Sequence, residues 1–234
     1  MDGGFAVKNR PLIIAHRGWS GRFTENTLPA IRAALDLGAD FVEIDVHETR
    51  DGEIVVFHDY RLRRLCGVRG CVRDATIAKI KRLNPSIPTL AEALHICRGK
   101  ARALIEIKRA DPRKVAAVIE NCSMERDVIV FSLSIPRMKQ FARASPDIPR
   151  FGLVARNLRS ALFIFRSPLS IQGLGLSHRL VVSPAVVRAV HQRGWKLFVW
   201  TVNRAAEMQR LAAWGVDGLI TNHPDRAKSC LARR

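Results

Sequence analysis

Two acidic residues, Glu43 and Asp45, stand two positions apart in a run of β-branched residues that is typical of a buried strand. Side chains two apart on a strand point to the same face, and Glu106 and Lys108 repeat this spacing further along the chain. Three carboxylates facing one small interior would repel each other unless a cation joined them. Oxygen ligands suit a hard divalent ion, Mg²⁺ or Ca²⁺, better than zinc. The spacing therefore predicts a metal site of Glu43, Asp45 and Glu106; an ion network with Arg17 and Lys108 is the alternative.

Two histidines, His16 after the first strand-like run and His58 at the end of the run Glu53–His58, could exchange protons with a phosphate group beside such an ion. Only three residues, centred on Asp51, separate Glu53–His58 from the strand of Glu43, which fits a hairpin turn and not a parallel crossover. Position 58 then returns opposite position 44, next to the acidic pair. Acid–base phosphoryl chemistry requires one group that removes a proton and one that supplies it. The remaining histidines are interpreted as core or surface residues: His47, His95, His178, His191 and His223.

Short β-branched runs alternate with helical stretches, which is the pattern of right-handed βαβ units and a parallel sheet. With Glu53–His58 set aside as an antiparallel return, eight parallel strands remain, the number that closes a barrel. We predict a single α/β domain over residues 1–234, a distorted (β/α)₈ TIM-type barrel with an extra β-hairpin strand after barrel strand 2. An open doubly wound sheet is the second choice, and no GxGxxG motif follows the first strand to support it. The strands are predicted at Leu12–His16, Phe41–Val46, Ala103–Lys108, Val128–Ser132, Arg150–Val154, Gln172–Ser177, Lys196–Thr201 and Asp217–Thr221, and the helices at Thr27–Leu37, Thr89–Cys97, Pro112–Asn121, Ile135–Ala144, Ser183–Arg193 and Arg204–Trp214.

The carboxyl ends of parallel barrel strands meet on one face, whatever their distance along the chain. The predicted strands of this chain end in polar residues, so that face becomes the candidate site. The stretch between residues 156 and 170 has no clear pattern and adds nothing to it. The polar set at the strand ends and the hairpin is His16, Arg17, Glu43, Asp45, His58, Asp59, Glu106, Lys108, Ser132, Trp200, Asn203 and Asn222.

The chain is strongly basic, with 39 Lys and Arg against 21 Asp and Glu and a formal net charge of +18. Eight of these cations fall between Arg61 and Arg82, against Asp74 alone. Such a surface attracts phosphate substrates, acidic lipid headgroups or nucleic acid, although 6% aromatic residues argue against a stacking platform for bases. Five scattered cysteines form no disulfide framework, and no apolar stretch of signal-peptide length precedes Arg10. We expect a cytoplasmic protein that needs no obligate protein partner and that can still contact membranes peripherally.

Short motifs occur in a fixed order along most of the chain. In that order they resemble the glycerophosphodiester phosphodiesterase family over about residues 11 to 226. One such motif would carry little weight, but the ordered series is specific. The motifs are Ile14-Ala15-His16-Arg17-Gly18, Glu25-Asn26-Thr27, Val42-Glu43-Ile44-Asp45-Val46, Thr49-Arg50-Asp51-Gly52, Val55-Val56-Phe57-His58-Asp59, Ile87-Pro88-Thr89-Leu90, Ile105-Glu106-Ile107-Lys108, Phe131-Ser132, Val199-Trp200-Thr201-Val202-Asn203 and Gly215-Val216-Asp217-Gly218.

The resemblance implies a distorted barrel that binds one divalent cation and hydrolyses a glycerophosphodiester. The glycerol 2-hydroxyl would attack phosphorus, the alcohol would leave, and water would open the cyclic phosphate to give glycerol phosphate. Carried over by position, the metal ligands would be Glu43, Asp45 and Glu106, the acid–base pair His16 and His58, the phosphate-binding residues Arg17 and Lys108, the supporting residues Glu25 and Asn26, and the glycerol-pocket residue Trp200.

The chain departs from the family between Tyr60 and Ser86, a short and very basic insertion at about residues 60–86. In the family this region roofs the active site, so it bears on which alcohol is accepted: choline, ethanolamine, glycerol and inositol stay open. Two other functions also stay open. The mixed apolar and arginine residues of Phe151–Arg166 are the support for a lysophospholipase D-like enzyme at a membrane surface, although we favour an ordinary helix packed on the barrel for that stretch. A non-catalytic phosphate- or nucleic-acid-binding protein would explain the charge, but not the full set of histidines and acids.

Overall fold

A computed structural model describes residues 10–155 and 170–232, and within them eight parallel strands close into a barrel. The first strand pairs with both the second and the last barrel strand, so these strands form a closed ring. The alternative of an open doubly wound sheet is therefore wrong. The predicted (β/α)₈ barrel is confirmed, and residues 156–169, which carry no clear pattern, lie outside the described part. The barrel strands are β1 (Leu12–His16), β2 (Phe41–Glu48), β4 (Arg102–Arg109), β5 (Val128–Ser132), β6 (Arg150–Val154), β7 (Gly173–Ser177), β8 (Lys196–Trp200) and β9 (Gly218–Thr221).

The predicted hairpin is confirmed as a ninth strand outside the ring, β3 (Ile54–Val56), antiparallel to the end of β2. Val46 pairs with Val56, and the amide of Phe57 donates to the carbonyl oxygen of Asp45 at 2.8 Å. Continued by two residues, this register puts position 58 opposite position 44, as the turn length predicts. The hairpin therefore carries His58 back to the acidic end of β2.

Helices cover the outside of the barrel, and most of their predicted bounds agree with the structure to within one or two residues. Thr27 caps the first helix by accepting from the amide of Ala30, whereas Ser183 stands at its cap position without a side-chain hydrogen bond. The helices α2, α3 and α9 are missing from the sequence prediction. Within the described residues no helix has both the length and the apolarity to cross a bilayer. The helices are α1 (Leu28–Asp36), α2 (Arg63–Cys66), α3 (Ile77–Leu83), α4 (Leu90–Cys97), α5 (Pro112–Asn121), α6 (Ile135–Ala144), α7 (Pro184–His191), α8 (Ala205–Ala213) and α9 (Pro224–Leu231).

Alternation along the strands divides the barrel interior into an apolar floor and a polar top. On β2, Phe41 packs inside the barrel, and the same face continues with Glu43 and Asp45 towards the carboxyl end. On β4, Leu104 is inside and is followed by Glu106 two positions on. The floor is a buried cluster of Ile14, Phe41, Leu104, Ile129, Phe131, Phe151, Leu153, Phe198 and Ile220. A close-packed floor therefore fixes the height and direction of every polar side chain above it.

The basic segment at residues 60–86 is a packed layer and not a loose loop. Leu62, Val72 and Ile80 are almost fully buried and form a cluster of their own with Val55 and Phe57 of the hairpin. Apolar residues inside and cations outside explain how so charged a segment is held. The segment is therefore attached to the same hairpin that carries His58.

Gly18 ties the loop after β1 to the start of α1. Its φ is +76°, and an added Cβ would lie 2.6 Å from the carbonyl carbon of Ala30. We expect Gly18→Ala to lower the free energy of unfolding by about 3 kcal/mol, from backbone strain together with the forced displacement of α1. Gly194 is the matched control, because its φ is +72° and nothing lies within 4 Å of its added Cβ.

Gly194→Ala should cost only the strain of the left-handed backbone, about 1 kcal/mol. Guanidinium unfolding of the two variants measures the difference directly. Equal losses of stability in the two variants would contradict the close packing of Gly18 on α1.

Candidate active site

Three carboxylates meet at the top of the barrel. Glu43, Asp45 and Glu106 each offer an oxygen that lies within 4.8 Å of the others, and all three side chains are buried. Parallel pairing of β2 with β4 sets Asp45 directly beside Glu106. The cluster therefore comes from backbone register, and its oxygens are donors of the kind that hard divalent cations bind.

Two cationic side chains lie among these acids. The Lys108 Nζ atom is 2.8 Å from Glu106 Oε1 and 3.3 Å from Asp45 Oδ1, and the Arg17 Nε atom is 3.1 Å from Asp45 Oδ2. The backbone amide of Arg17 also donates to Glu43 Oε2 at 2.9 Å. The alternative of an ion network with Arg17 and Lys108 is therefore present. If all three acids were ionised, the two cations would leave one negative charge in excess.

The pKa values of the acids reflect this excess. Burial, and then the neighbouring Asp45 charge, raises the pKa of Glu43 well above its ordinary value. The same two causes raise the pKa of Glu106 to about 7. Burial would also raise the pKa of Asp45, but Lys108 and Arg17 outweigh it and lower that pKa. Asp45 is therefore the anionic centre of the cluster, and the two glutamates resist ionisation around it.

Asn26 holds Asp45 through two hydrogen bonds. The Asn26 Nδ2 atom donates to Asp45 Oδ2 at 2.9 Å, and Asn26 Oδ1 accepts from the Asp45 amide at 3.3 Å. The residue is fully buried and has a φ of +56°, a left-handed conformation that asparagine tolerates better than most residues. Arg17, at φ +59°, turns the same loop back over the acids.

His16 is fixed in one orientation by Asn222 at the end of β9. The Nδ1 atom of His16 lies 2.6 Å from Asn222 Oδ1, so Nδ1 donates and Nε2 keeps its lone pair. Nε2 lies 3.9 Å from Glu43 Oε2, at the edge of the acid cluster. Burial first, and then the Arg17 charge, lowers the pKa of His16 to about 4. The ring is therefore a neutral proton acceptor at neutral pH.

His58 belongs to a chain of charged groups that runs back to Arg17. Its Nδ1 atom is 2.8 Å from Asp59 Oδ1, and Asp59 Oδ2 accepts from Arg64 Nε at 2.6 Å. Arg64 also donates to Glu25 Oε1 at 2.6 Å, and the same oxygen accepts from Arg17 at 2.9 Å. The Arg64 hydrogen bond is the largest cause that lowers the pKa of Asp59, to about 2. The charged carboxylate of Asp59 thus orients His58. Arg64 of the basic segment connects Asp59 to Glu25, the carboxylate that holds Arg17.

Two pockets open beside this cluster and share His58, Glu106 and Lys108. The smaller, about 210 Å³, contains His16 and Glu43 and is closed on its apolar side by the residues Phe131, Leu153 and Trp200. The Trp200 Nε1 atom is buried and donates to no described residue. An unused donor beside the acids would be satisfied by a polar ligand atom.

The structure brings nine of the ten candidate residues into one connected cluster and places Trp200 on the wall of the smaller pocket. Sequence reasoning listed Asn222 among the polar strand ends without assigning it as the support of His16, and it missed Arg64 as the link. His47 was interpreted as a core or surface residue, and it is buried; its Nε2 atom lies 3.0 Å from the carbonyl oxygen of His58. The cluster comprises His16, Arg17, Glu25, Asn26, Glu43, Asp45, His58, Glu106 and Lys108.

A (β/α)₈ barrel with an acid cluster and two oriented histidines at the carboxyl ends of its strands defines a class of protein, the barrel hydrolases of phosphate esters. The family model described as the glycerophosphoryl diester phosphodiesterase family matches residues 16–226. A glycerophosphodiester phosphodiesterase from Caldanaerobacter subterraneus subsp. tengcongensis is 32% identical, over 92% of this chain and 96% of the relative. The chain belongs to the glycerophosphoryl diester phosphodiesterase family.

Solved structures agree with the fold. The crystal structure of a glycerophosphodiester phosphodiesterase from Agrobacterium tumefaciens is similar at a TM-score of 0.81 with 27% identity, over 94% of this chain and 99% of the other. An Oleispira antarctica phosphodiesterase, solved in complex with the product sn-glycerol-3-phosphate, has a TM-score of 0.84 at 24% identity, over 95% and 97% of the two chains. The second likeness bears on the fold alone.

Asn26 gives a test of how the acid cluster is held. We expect Asn26→Ala to lower the free energy of unfolding by about 3 kcal/mol, because it removes two hydrogen bonds to a buried aspartate and strains a left-handed backbone. Asn26→Gly removes the same bonds without the strain and should cost about 2 kcal/mol. Chemical unfolding of both variants separates the two effects. Wild-type stability in Asn26→Gly would mean that the bonds to Asp45 do not stabilise the fold.

Proposed function

We propose that this protein hydrolyses glycerophosphodiesters to glycerol phosphate and an alcohol, using one divalent cation and the two histidines. The observation that carries the proposal is the clustering of Glu43, Asp45 and Glu106 within 4.8 Å, with His16 and His58 lining the same small pocket. Family membership supports the reaction. No contact among the described residues favours a lysophospholipase D or a non-catalytic protein over this reaction.

The acids of the cluster fit a hard cation. Asp45 Oδ1 is buried and accepts no hydrogen bond from any described residue, although Lys108 Nζ lies 3.3 Å away. Negative charge in excess and carboxylate oxygens on three sides suit Mg²⁺ or Ca²⁺. Glu43, Asp45 and Glu106 would hold the ion. When bound, it would polarise a phosphate oxygen and ease deprotonation of the glycerol 2-hydroxyl.

The two histidines divide the proton transfers of the first step. His16, whose Nε2 carries a lone pair, accepts the proton of the 2-hydroxyl as that oxygen attacks phosphorus. The bond from phosphorus to the alcohol oxygen breaks, and His58 gives its Nε2 proton to that oxygen. Asp59 on Nδ1 stabilises the charged ring before this transfer. Arg17 and Lys108 contribute positive charge next to the phosphate oxygens.

The second step reverses the two roles. His58, now neutral, takes a proton from water as the water oxygen attacks phosphorus of the cyclic phosphate. His16 returns its proton to the 2-oxygen as that bond breaks, which releases glycerol phosphate and restores both rings. Trp200 and the apolar wall around it would orient the glycerol carbons during both steps.

Removal of the cation or of one ligand tests the metal assignment. We expect EDTA, or Glu43→Gln, to lower kcat/KM on glycerophosphoglycerol about a hundredfold or more, and calorimetry should show lost Mg²⁺ or Ca²⁺ binding in the variant. The fold should survive, since the raised pKa of Glu43 means that its charge is unfavourable there. Glu125→Gln is the matched control, because Glu125 is exposed and lies before β5, at the opposite end of the barrel. An undiminished rate in Glu43→Gln would refute the assignment.

A leaving group that needs no proton tests the division of roles between the histidines. We expect His58→Ala to lose about a hundredfold or more in kcat/KM on glycerophosphoglycerol, but to release 4-nitrophenolate from the 4-nitrophenyl ester of glycerol phosphate at close to the wild-type rate. His16→Ala should be slow on both substrates, because its missing base is needed for either. Single-turnover measurements isolate this first step. The opposite pattern would exchange the two roles.

A further inference from the structure

The two pockets beside the acid cluster adjoin at His58, Glu106, Lys108 and Leu133, which line both. The smaller contains His16, Glu43 and Trp200, whereas the larger, about 610 Å³, contains His58 but neither His16 nor Glu43. Under the proposed function, the glycerol must lie beside the acids, where its 2-hydroxyl meets His16. The alcohol on the other side of phosphorus then leaves past His58, into the larger pocket.

Three arginines from different parts of the chain line this larger pocket. Arg61 follows the hairpin, Arg109 ends β4, and Arg137 stands in the first turn of α6. None of them forms an ion pair with a carboxylate of the part of the chain that the structure describes. The guanidinium of Arg109 lies 4.2 Å from the ring centroid of Tyr60, another residue of the lining, which fixes its position.

The acids of the larger pocket do not neutralise these arginines. Its lining contains two carboxylates, Asp59 and Glu106. Asp59 is held by Arg64 and His58, and Glu106 is held by Lys108 at 2.8 Å. No carboxylate of the lining therefore compensates the positive charge of the three guanidiniums, in a pocket that adjoins His58, Glu106 and Lys108.

The start of α6 adds to this field. Ser134 caps that ten-residue helix by accepting from the amide of Arg137, and both residues line the pocket. A helix N-terminus carries partial positive charge and favours an anion within its first turn. It supports the arginines here and would not define a site without them.

We infer that the larger pocket is the leaving-group subsite and that it selects an alcohol carrying an anionic group, a phosphate monoester above all. The inference rests on the proposed function and narrows its substrate class. Forked guanidiniums pair with phosphate through two hydrogen bonds each, and the same charges repel the cationic headgroups of choline and ethanolamine.

The test compares one alcohol with and without a terminal phosphate. We expect the wild-type protein to cleave glycerophosphoglycerol phosphate with a kcat/KM about tenfold above that for glycerophosphoglycerol. The double variant Arg61→Gln, Arg137→Gln should lose about tenfold more kcat/KM on the phosphate-bearing substrate than on the uncharged one. The matched control is Arg69→Gln with Arg82→Gln, two exposed arginines of the same basic segment that lie outside the pocket lining. The control changes net charge equally and should keep the wild-type preference.

The other possible results distinguish the proposed function, the leaving-group subsite and a membrane-binding surface. No turnover of either substrate would overturn the proposed function, and the subsite with it. Turnover of both at equal kcat/KM would overturn the subsite alone, and so would loss of the preference in the control variant. A double variant that keeps the preference but no longer sediments with phosphatidylglycerol vesicles would reassign the arginines to a membrane surface.

Discussion

The burial of three carboxylates within 4.8 Å of one another is the constraint on which the rest of this structure depends. Like charges in a low-dielectric interior repel strongly, and desolvation adds to that cost. Lys108, Arg17 and Asn26 offset part of it by pairing with Asp45, and the raised pKa values of Glu43 and Glu106 show the part that stays. A bound divalent cation would remove the remaining repulsion, so under the proposed function the chemistry and the stability of the barrel top would depend on the same ion.

A barrel can hold such a cluster because its positions come from backbone register and not from loop conformation. The pairing of Asp45 with Glu106 across β2 and β4 fixes their spacing. The close-packed apolar floor below leaves no space into which these side chains could move. His58 reaches the cluster by a different route, the hairpin β3, whose own register is as strict. Each catalytic candidate thus inherits its place from hydrogen bonds between strands.

The sequence could predict what depends on local periodicity. Alternation and turn length were enough for the strands, for the return of His58 and for the common face of Glu43 and Asp45. It placed His16 and Asn222 in one polar set at the strand ends, but it could not predict the hydrogen bond between them, because that bond depends on how the two side chains are oriented in the closed barrel. The helices of the basic segment were missed because its many cations mask the few buried apolar residues, Leu62, Val72 and Ile80, that form its core. Charge composition predicts attraction of anions, but it does not locate a pocket.

Arg64 connects the basic segment to the candidate catalytic groups. It bonds at once to Glu25, which supports Arg17, and to Asp59, which supports His58. Its side chain is 47% exposed, so each ion pair alone would contribute little to stability. The contribution is geometric, since one planar guanidinium fixes two carboxylates, one bonded to Arg17 and the other to His58. The basic segment therefore contributes Arg61 to the lining of the larger pocket and, through Arg64 and Asp59, supports the orientation of His58.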